Sequence, residues 1–275
     1  MPLFSDKVVA ITGAGSGIGR ALALAFSRHQ AKLLLSDINP TTLAETQQLC
    51  YQAGTTQVHC YPLDVANRTA VEHWATLAQQ HYGQVDILIN NAGVALVACV
   101  EQMQYEDFEW LMGINFWGVV HGCKSFLPLL KQSSAGHIVN ISSLFGLISI
   151  PNQSAYNAAK FAVRGFSESL SEEMQMAGKS VSVTCVHPGG IKTNIINNSR
   201  MGTSLGLGQG GQPLKQRLNH YLTTSADQAA KQILTAIAKK RRRLVIGYDA
   251  KALDMLQRCL PSRYQQLVSQ TFKLF

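Results

Sequence analysis

The sequence predicts an α/β protein, a doubly wound Rossmann-type parallel sheet in a single domain with a helical extension at its C-terminal end. Three observations predict it. Short apolar, β-branched runs alternate with helical patterns over the first 190 residues. A glycine-rich stretch joins the first run to the first helix, and an acid closes the second run. Strand–helix alternation of this kind implies a parallel sheet covered by helices on both faces. Right-handed crossovers then wind it in both directions.

The strands are expected at "KVVAIT" (7–12), "AKLLLSD" (31–37), "QVHCYPLD" (57–64), "QVDILIN" (84–90), "GHIVNISS" (136–143) and "SVSVTCVHPG" (180–189). Near-continuous apolar runs of this length suit strands buried on both faces. Helices are expected over 17–30, 40–54 and 67–83, the last with Asn67 as N-cap, followed by two or more segments within 105–132. A long helix fills 154–178 and ends at a glycine. After Gly190 the texture changes. Residues 191–222 carry many glycines and little periodicity, which predicts a loop that orders over a ligand. A helix capped by Ser225 and a last strand at "RLVIG" follow. Residues 249–275 read as two amphipathic helices broken at Pro261. The predicted organisation is a core over 5–190, a substrate loop over 191–222 and the extension over 249–275, with no repeats.

Composition narrows the function classes. The chain has 275 residues, 46% hydrophobic and 15% charged, as expected of a globular protein with a large core. No apolar stretch approaches the ~20 residues of a membrane span. "MPLFSDKVVA" lacks the pattern of a signal peptide, so a cytoplasmic location is expected. The six cysteines are scattered without metal-ligand spacing, as are the eight histidines. Buried free thiols are expected, and no metal. The net charge of +8 is concentrated in part at 239–243, where every residue is basic. This run leads straight into an apolar strand, so a solvated helix end is favoured over a nucleic-acid site. No nucleic-acid partner is expected.

"TGAGSGIG" at 12–19 carries the first functional signal. Glycines let the backbone turn sharply and approach a ligand closely, and a helix N-terminus offers free N–H groups to a pyrophosphate. Gly13, Ser16, Gly17, Ile18 and Gly19 form the candidate cradle, although a glycine-rich turn without a ligand is the plainer alternative. Asp37 lies 18 residues beyond Gly19, where an acid would accept hydrogen bonds from an adenosine ribose. A carboxylate there repels a 2′-phosphate, and no basic residue precedes Arg20 in the loop. NAD is therefore expected over NADP. Asp64, with Val65, could meet the adenine edge.

"SAYNAAK" at 154–160 is a weak signal alone, since Tyr-x-x-x-Lys pairs are common on solvated helices. Interconversion of an alcohol and a ketone, however, needs a group of tunable pKa at the substrate oxygen. Tyr156 and Lys160, four residues apart, share a helical face, and a neighbouring ammonium lowers a phenol's pKa. An oxidised nicotinamide would add a second positive charge; burial opposes ionisation, and the cation terms together are expected to win.

Taken together, these motifs resemble the short-chain dehydrogenases/reductases. "TGAGSGIG" is similar to their glycine loop, "NNAG" (90–93) to the motif after their fourth strand, "ISS" and "YNAAK" to their Ser…YxxxK core, and "PGGIKT" (188–193) to their PGxxxT. Asn115 falls where they carry a catalytic Asn, and Ser143 stands thirteen residues before Tyr156. The motifs cover about residues 7–193, in order; the C-terminal 80 residues carry none. The resemblance implies Tyr156 as acid or base and Lys160 as the group that lowers its pKa and binds the nicotinamide ribose. It further implies Ser143 as holder of the substrate oxygen and Asn115 as anchor of a proton-relay water. Asn91, Ala92 and Gly93 would line the cofactor cleft, and Pro188, Gly189 and Thr193 would flank the nicotinamide. Spacing alone selects Ser143 over Ser142.

The substrate would lie against the segments around Ser143, Leu144, Phe145 and Tyr156, with Leu96, Ile195 and Met201 nearby. These apolar residues suggest a hydrophobic secondary alcohol or ketone, and no carboxylate-binding Arg follows Ser143. The family usually assembles through two long helices, here about 114–131 and 154–178, so a homodimer or homotetramer is expected. The tail could extend that interface, close the pocket or, least favoured, touch a membrane. The competing readings are a catalytically idle NAD-binding sensor or scaffold, and an acyl-thioester or steroid-type reductase.

Overall fold

A computed structural model describes residues 3–178, 180–201 and 222–273. Seven strands form one sheet: β1 (Val8–Thr12), β2 (Lys32–Asp37), β3 (Val58–Pro62), β4 (Ile87–Asn90), β6 (His137–Ile141), β7 (Ser182–Pro188) and β11 (Arg243–Ile246). Their order is β11-β7-β6-β4-β1-β2-β3, with every neighbouring pair parallel. The order reverses between β1 and β4, and the loops leaving these two strands diverge there. Open α/β sheets bind ligands at such a point. Strands β1, β4 and β6 are buried at every residue, which is why they read as unbroken apolar runs.

Helices cover both faces. On one lie α1 (Gly17–Arg28), α2 (Pro40–Gln52) and α7 (Ala226–Ala238), with Leu22, Phe26, Leu43 and Ile233 packed onto Ile11, Leu33 and Ile89. On the other lie α3 (Arg68–Tyr82), α5 (Gly118–Leu130) and α6 (Ser154–Met176), where Trp74, Phe126 and Val163 meet Ala10, Leu88 and Ile138. Local chemistry sets the helix starts. Asn39 accepts the N–H groups of Thr41 and Thr42 ahead of Pro40, Asn67 accepts that of Ala70, and Ser225 closes a capping box with Gln228. Helix α6 stops two residues before Gly178, whose φ of +61° carries the chain out of the helix.

The 105–132 region contains no loop between its helical segments. Helix α4 (Tyr105–Met112) runs through a π-turn, Gly113–Trp117, directly into α5. Two short strand pairs were not legible in the sequence. β5 (Leu96–Val97) pairs with β9 (Arg200–Met201), and β8 (Ile191–Lys192) pairs with β10 (Thr224–Ser225). Residues 202–221 of the expected substrate loop lie outside the described residues. The tail forms α8 (Tyr248–Cys259) and α9 (Tyr264–Lys273). Ala250, Tyr264 and Val268 pack against Leu144, Ile148 and Ile150, so the extension supports the segment that follows Ser143. Among the described residues no helix is long and apolar enough to cross a membrane.

Candidate active site

The glycine loop is a close-packed backbone cradle. Gly13 and Gly17 have φ of +64° and +52°, in the left-handed region that glycine adopts without strain. A Cβ on Gly13 would stand 2.8 Å from the Cα of Ala92, and one on Gly19 2.1 Å from the Gly13 carbonyl oxygen. Asn91 ties the two loops together, its Nδ2 donating to the carbonyls of Thr12 at 3.0 Å and Gly13 at 3.1 Å. Thr12, which the motif reading passed over, accepts the N–H groups of Asn91 and Ala92 on its Oγ1. Ser16 is exposed at the start of α1 and makes no side-chain cap, and Ile18 is half-buried. The start of α1, with Ser16 exposed and Gly17 and Ile18 half-buried, and the close-packed backbone behind it fit a dinucleotide pyrophosphate.

Asp37 stands at the end of β2 beside this loop. Its Oδ2 accepts the Gly15 N–H at 2.8 Å and its Oδ1 the Asn39 N–H at 2.9 Å. Arg20 lies near, but its guanidinium is engaged by the Gly15 and Thr42 carbonyls, by Thr46 Oγ1 and by Glu45. Asp64 is exposed and accepts the Ala66 N–H, while Val65 is buried under α5. Across the cleft, the Thr193 methyl would be 3.1 Å from a Cβ on Gly17, so the segment after Pro188 and Gly189 reaches the glycine loop.

Asn115, Ser143, Tyr156 and Lys160 converge beyond the ends of β4 and β6. The π-turn points Asn115 inward, where it is fully buried. Its Oδ1 accepts the Val94 N–H and its Nδ2 donates to the Val94 carbonyl, both at 2.8 Å. A Cβ on Gly93 would stand 3.2 Å from Asn115 Oδ1 and 3.6 Å from Lys160 Nζ, so these three residues meet in one place. Lys160 Nζ donates to the Ile141 carbonyl at 3.0 Å and sits 5.6 Å from the centre of the Tyr156 ring.

The two adjacent serines point to different partners. Ser142 Oγ donates to the Lys160 carbonyl at 2.8 Å and so anchors α6. Ser143 Oγ accepts the Phe145 N–H at 3.1 Å, and its hydroxyl acts on the nearby Tyr156 phenol, favouring the ionised form. Phe145 meets Tyr156 edge to face at 6.2 Å, whereas Leu144 is buried among the residues that hold the tail.

In the protein without cofactor, burial raises the Tyr156 phenol above its ordinary value, opposed by the Ser143 hydroxyl. Burial also lowers the Lys160 amine to about 8, opposed by nearby Cys185. In the protein alone the ammonium therefore does not outweigh burial, because Nζ is turned to the Ile141 carbonyl and the phenol has lost its water.

His187 was missed by sequence reasoning. It is fully buried, and its Nδ1 lies 3.1 Å from the Ser143 carbonyl; burial lowers it to about 4, so it is neutral at physiological pH and Nδ1 is the donor. Its place immediately before "PGG" was the available signal. Among the described residues no group of three His, Cys, Asp or Glu could hold a metal ion.

The model of the short chain dehydrogenases matches residues 7–203. The chain belongs to that family. The short-chain dehydrogenase described here is 49% identical over 270 residues to SadH of Mycobacterium tuberculosis, described as an oxidoreductase, covering 98% of this chain and 96% of that one. It is 32% identical over 263 residues to human estradiol 17-beta-dehydrogenase 11, covering 94% and 81%. A short-chain dehydrogenase/reductase of Burkholderia phymatum, solved in complex with NAD, superposes on this dehydrogenase with a TM-score of 0.86 at 31% identity, covering 94% and 95%.

Proposed function

We propose that this dehydrogenase interconverts a hydrophobic secondary alcohol and its ketone with NAD, using Tyr156 as acid and base. The observation that carries the reading is the meeting of Ser143, Tyr156, Lys160 and Asn115 at the mouth of the glycine cradle. When bound, NAD supplies a ring carbon that accepts or gives the hydride. Tyr156 Oη takes the alcohol proton in oxidation and returns it in reduction. Ser143 Oγ orients the substrate oxygen and stabilises its developing charge. Lys160 favours the phenolate and binds the ribose, and Asn115 anchors a water that links Lys160 to solvent. The carboxylate of Asp37, at the adenosine end, favours NAD over NADP, and the engagement of Arg20 by Glu45 and two carbonyls supports the same choice.

The substrate class rests on apolar surroundings. Ala95 and Leu96 share an apolar cluster with Tyr156, and Phe108, Trp110, Phe145 and Ile195 pack against that cluster. Likeness to an estradiol dehydrogenase supports a bulky apolar alcohol. The reading includes action in the cytoplasm as a homodimer or homotetramer. NADH absorbance with a panel of alcohols and ketones tests it. Tyr156→Phe is expected to lower turnover at least about a hundredfold with NADH affinity kept. Turnover retained in that variant would overturn the acid–base role, and activity confined to small charged hydroxy acids would overturn the substrate class. Failure of the wild-type protein to turn over any member would favour the idle NAD-binding alternative.

A further inference from the structure

The turn after β7 is wired to the C-terminal part of the chain through a single peptide plane and its neighbours. Gly189 N–H donates to the Ile246 carbonyl at 2.8 Å. Gly190 N–H donates to Asp249 Oδ2 at 2.7 Å. The Gly190 carbonyl accepts the N–H groups of Thr223 and Thr224, each at 3.0 Å. Beyond Gly190 the chain runs through Ile191 and Lys192, paired with Thr224 and Ser225, to Thr193 against the glycine loop. Whatever fixes Gly190 therefore fixes one wall of the dinucleotide cleft.

Asp249 is fitted to that task. It lies in the first turn of α8, directly after the strand that borders the turn. A Cβ on Gly189 would stand 2.3 Å from Asp249 Oδ2, and one on Gly247 2.2 Å from Oδ1, so both positions must be glycine for the carboxylate to enter. Gly247 also has a φ of +100°, which a side chain would strain. Among the described residues, the buried Asp249 Oδ1 has no hydrogen-bond partner. An unpaired buried carboxylate oxygen costs stability, so the fold gains little from an acid here beyond what it does to Gly190.

We propose that Asp249 is a positioning residue for the nicotinamide end of the site, holding the 189–193 segment against the glycine loop and making the C-terminal extension part of the cofactor-binding apparatus. The inference rests on the dinucleotide reading above. A charge-assisted bond to a backbone N–H is among the stronger protein hydrogen bonds, and its loss frees the turn rather than the sheet.

The test compares Asp249→Ala, Asp249→Asn and Tyr264→Ala. Tyr264 anchors the tail away from Gly190 and serves as the control for general loosening. NADH affinity is measured by fluorescence titration, the KM for NAD and for alcohol separately, thermal midpoints by melting, and amide exchange across 186–193 without ligand. Asp249→Ala is expected to weaken NADH about tenfold, with the alcohol KM within about twofold and faster exchange across 186–193. Asn, whose side-chain oxygen still accepts from Gly190, recovers most of the affinity. Tyr264→Ala lowers the thermal midpoint and leaves NADH affinity in place. Unchanged NADH affinity in Asp249→Ala overturns the proposal, as does an Asn variant as weak as Ala, or a Tyr264→Ala variant with the same affinity loss. If Asp249→Ala does not fold, Asp249→Asn decides: wild-type affinity and exchange support the proposal, and loss of both overturns it. If the wild-type protein binds no NADH, the dinucleotide reading has failed. Exchange at 186–193 still reports whether Asp249 holds the turn.

Discussion

Tyr156 and Lys160 are each pushed by burial toward the neutral form, the phenol upward and the amine down to about 8. The phenolate needed for oxidation gains support from the ammonium only while the amine keeps its proton, so the benefit of Lys160 is present below about pH 8 and fades above it. Removing the charge with Lys160→Met raises the phenol further and moves the oxidation profile to higher pH. The expected deficit is about tenfold or more below pH 8 and narrows as pH rises. Initial oxidation rates between pH 6 and 10 check this, and a deficit independent of pH would show that the charge is not what matters. The Tyr–Lys spacing was legible in the sequence, because a helical register follows from residue numbers. The electrostatic balance was not. It depends on how far water is excluded, which the cluster of Ala95, Leu96 and Leu111 decides, and on the Ile141 carbonyl at the end of β6 that captures Nζ.

The glycine loop with the start of α1 is the element whose role was clearest in advance. Glycine is a poor helix former, so Gly19 replaced by alanine would gain up to about 1 kcal/mol by propensity alone. The structure reverses that expectation, since the new Cβ would collide with the Gly13 carbonyl and with Asn91 Nδ2, 2.1 and 2.6 Å away. Gly19→Ala is expected to lower the thermal midpoint by several degrees and weaken NADH at least about tenfold, from an overpacking cost of about 1–3 kcal/mol. Melting curves and NADH titration check it, and a raised midpoint would show that the loop yields. The π-turn at Gly113–Trp117 lies at the other extreme. Amphipathic periodicity announced helices on either side, but a one-residue change in hydrogen-bond register leaves no mark in the pattern of apolar residues. That turn is what buries Asn115 and aims it at Val94.

At the scale of the whole molecule, two aromatic side chains are left exposed on the helices expected to join subunits. Trp117, at the head of α5, is 51% exposed, and Phe161, on α6, is 37% exposed beside an open groove with Val100 and Pro151. Aromatic residues left in water on neighbouring helices fit a closed symmetric interface. Light scattering is expected to give the mass of a dimer or tetramer, and Phe161→Glu is expected to shift it to a smaller species. A wild-type monomer at micromolar concentration would overturn this.

From the sequence came the sheet, its layering and the names of four residues that the structure brings together, Asn115, Ser143, Tyr156 and Lys160. Strand periodicity, capping residues and glycine spacing are local properties, and a strand buried on both faces advertises itself as an apolar run. Only the tertiary structure decided how those residues are wired. Ser142 and Ser143 are neighbours in the chain, yet one anchors α6 and the other meets Tyr156, because successive residues leaving a strand face opposite ways. His187 is marked only by its place before "PGG", and Asp249 by nothing local, since they act on Ser143 and Gly190, 44 and 59 residues away. The tail showed two amphipathic helices, but amphipathicity names a buried face without naming what buries it. Folding decides that partner, and here it is the segment that follows Ser143.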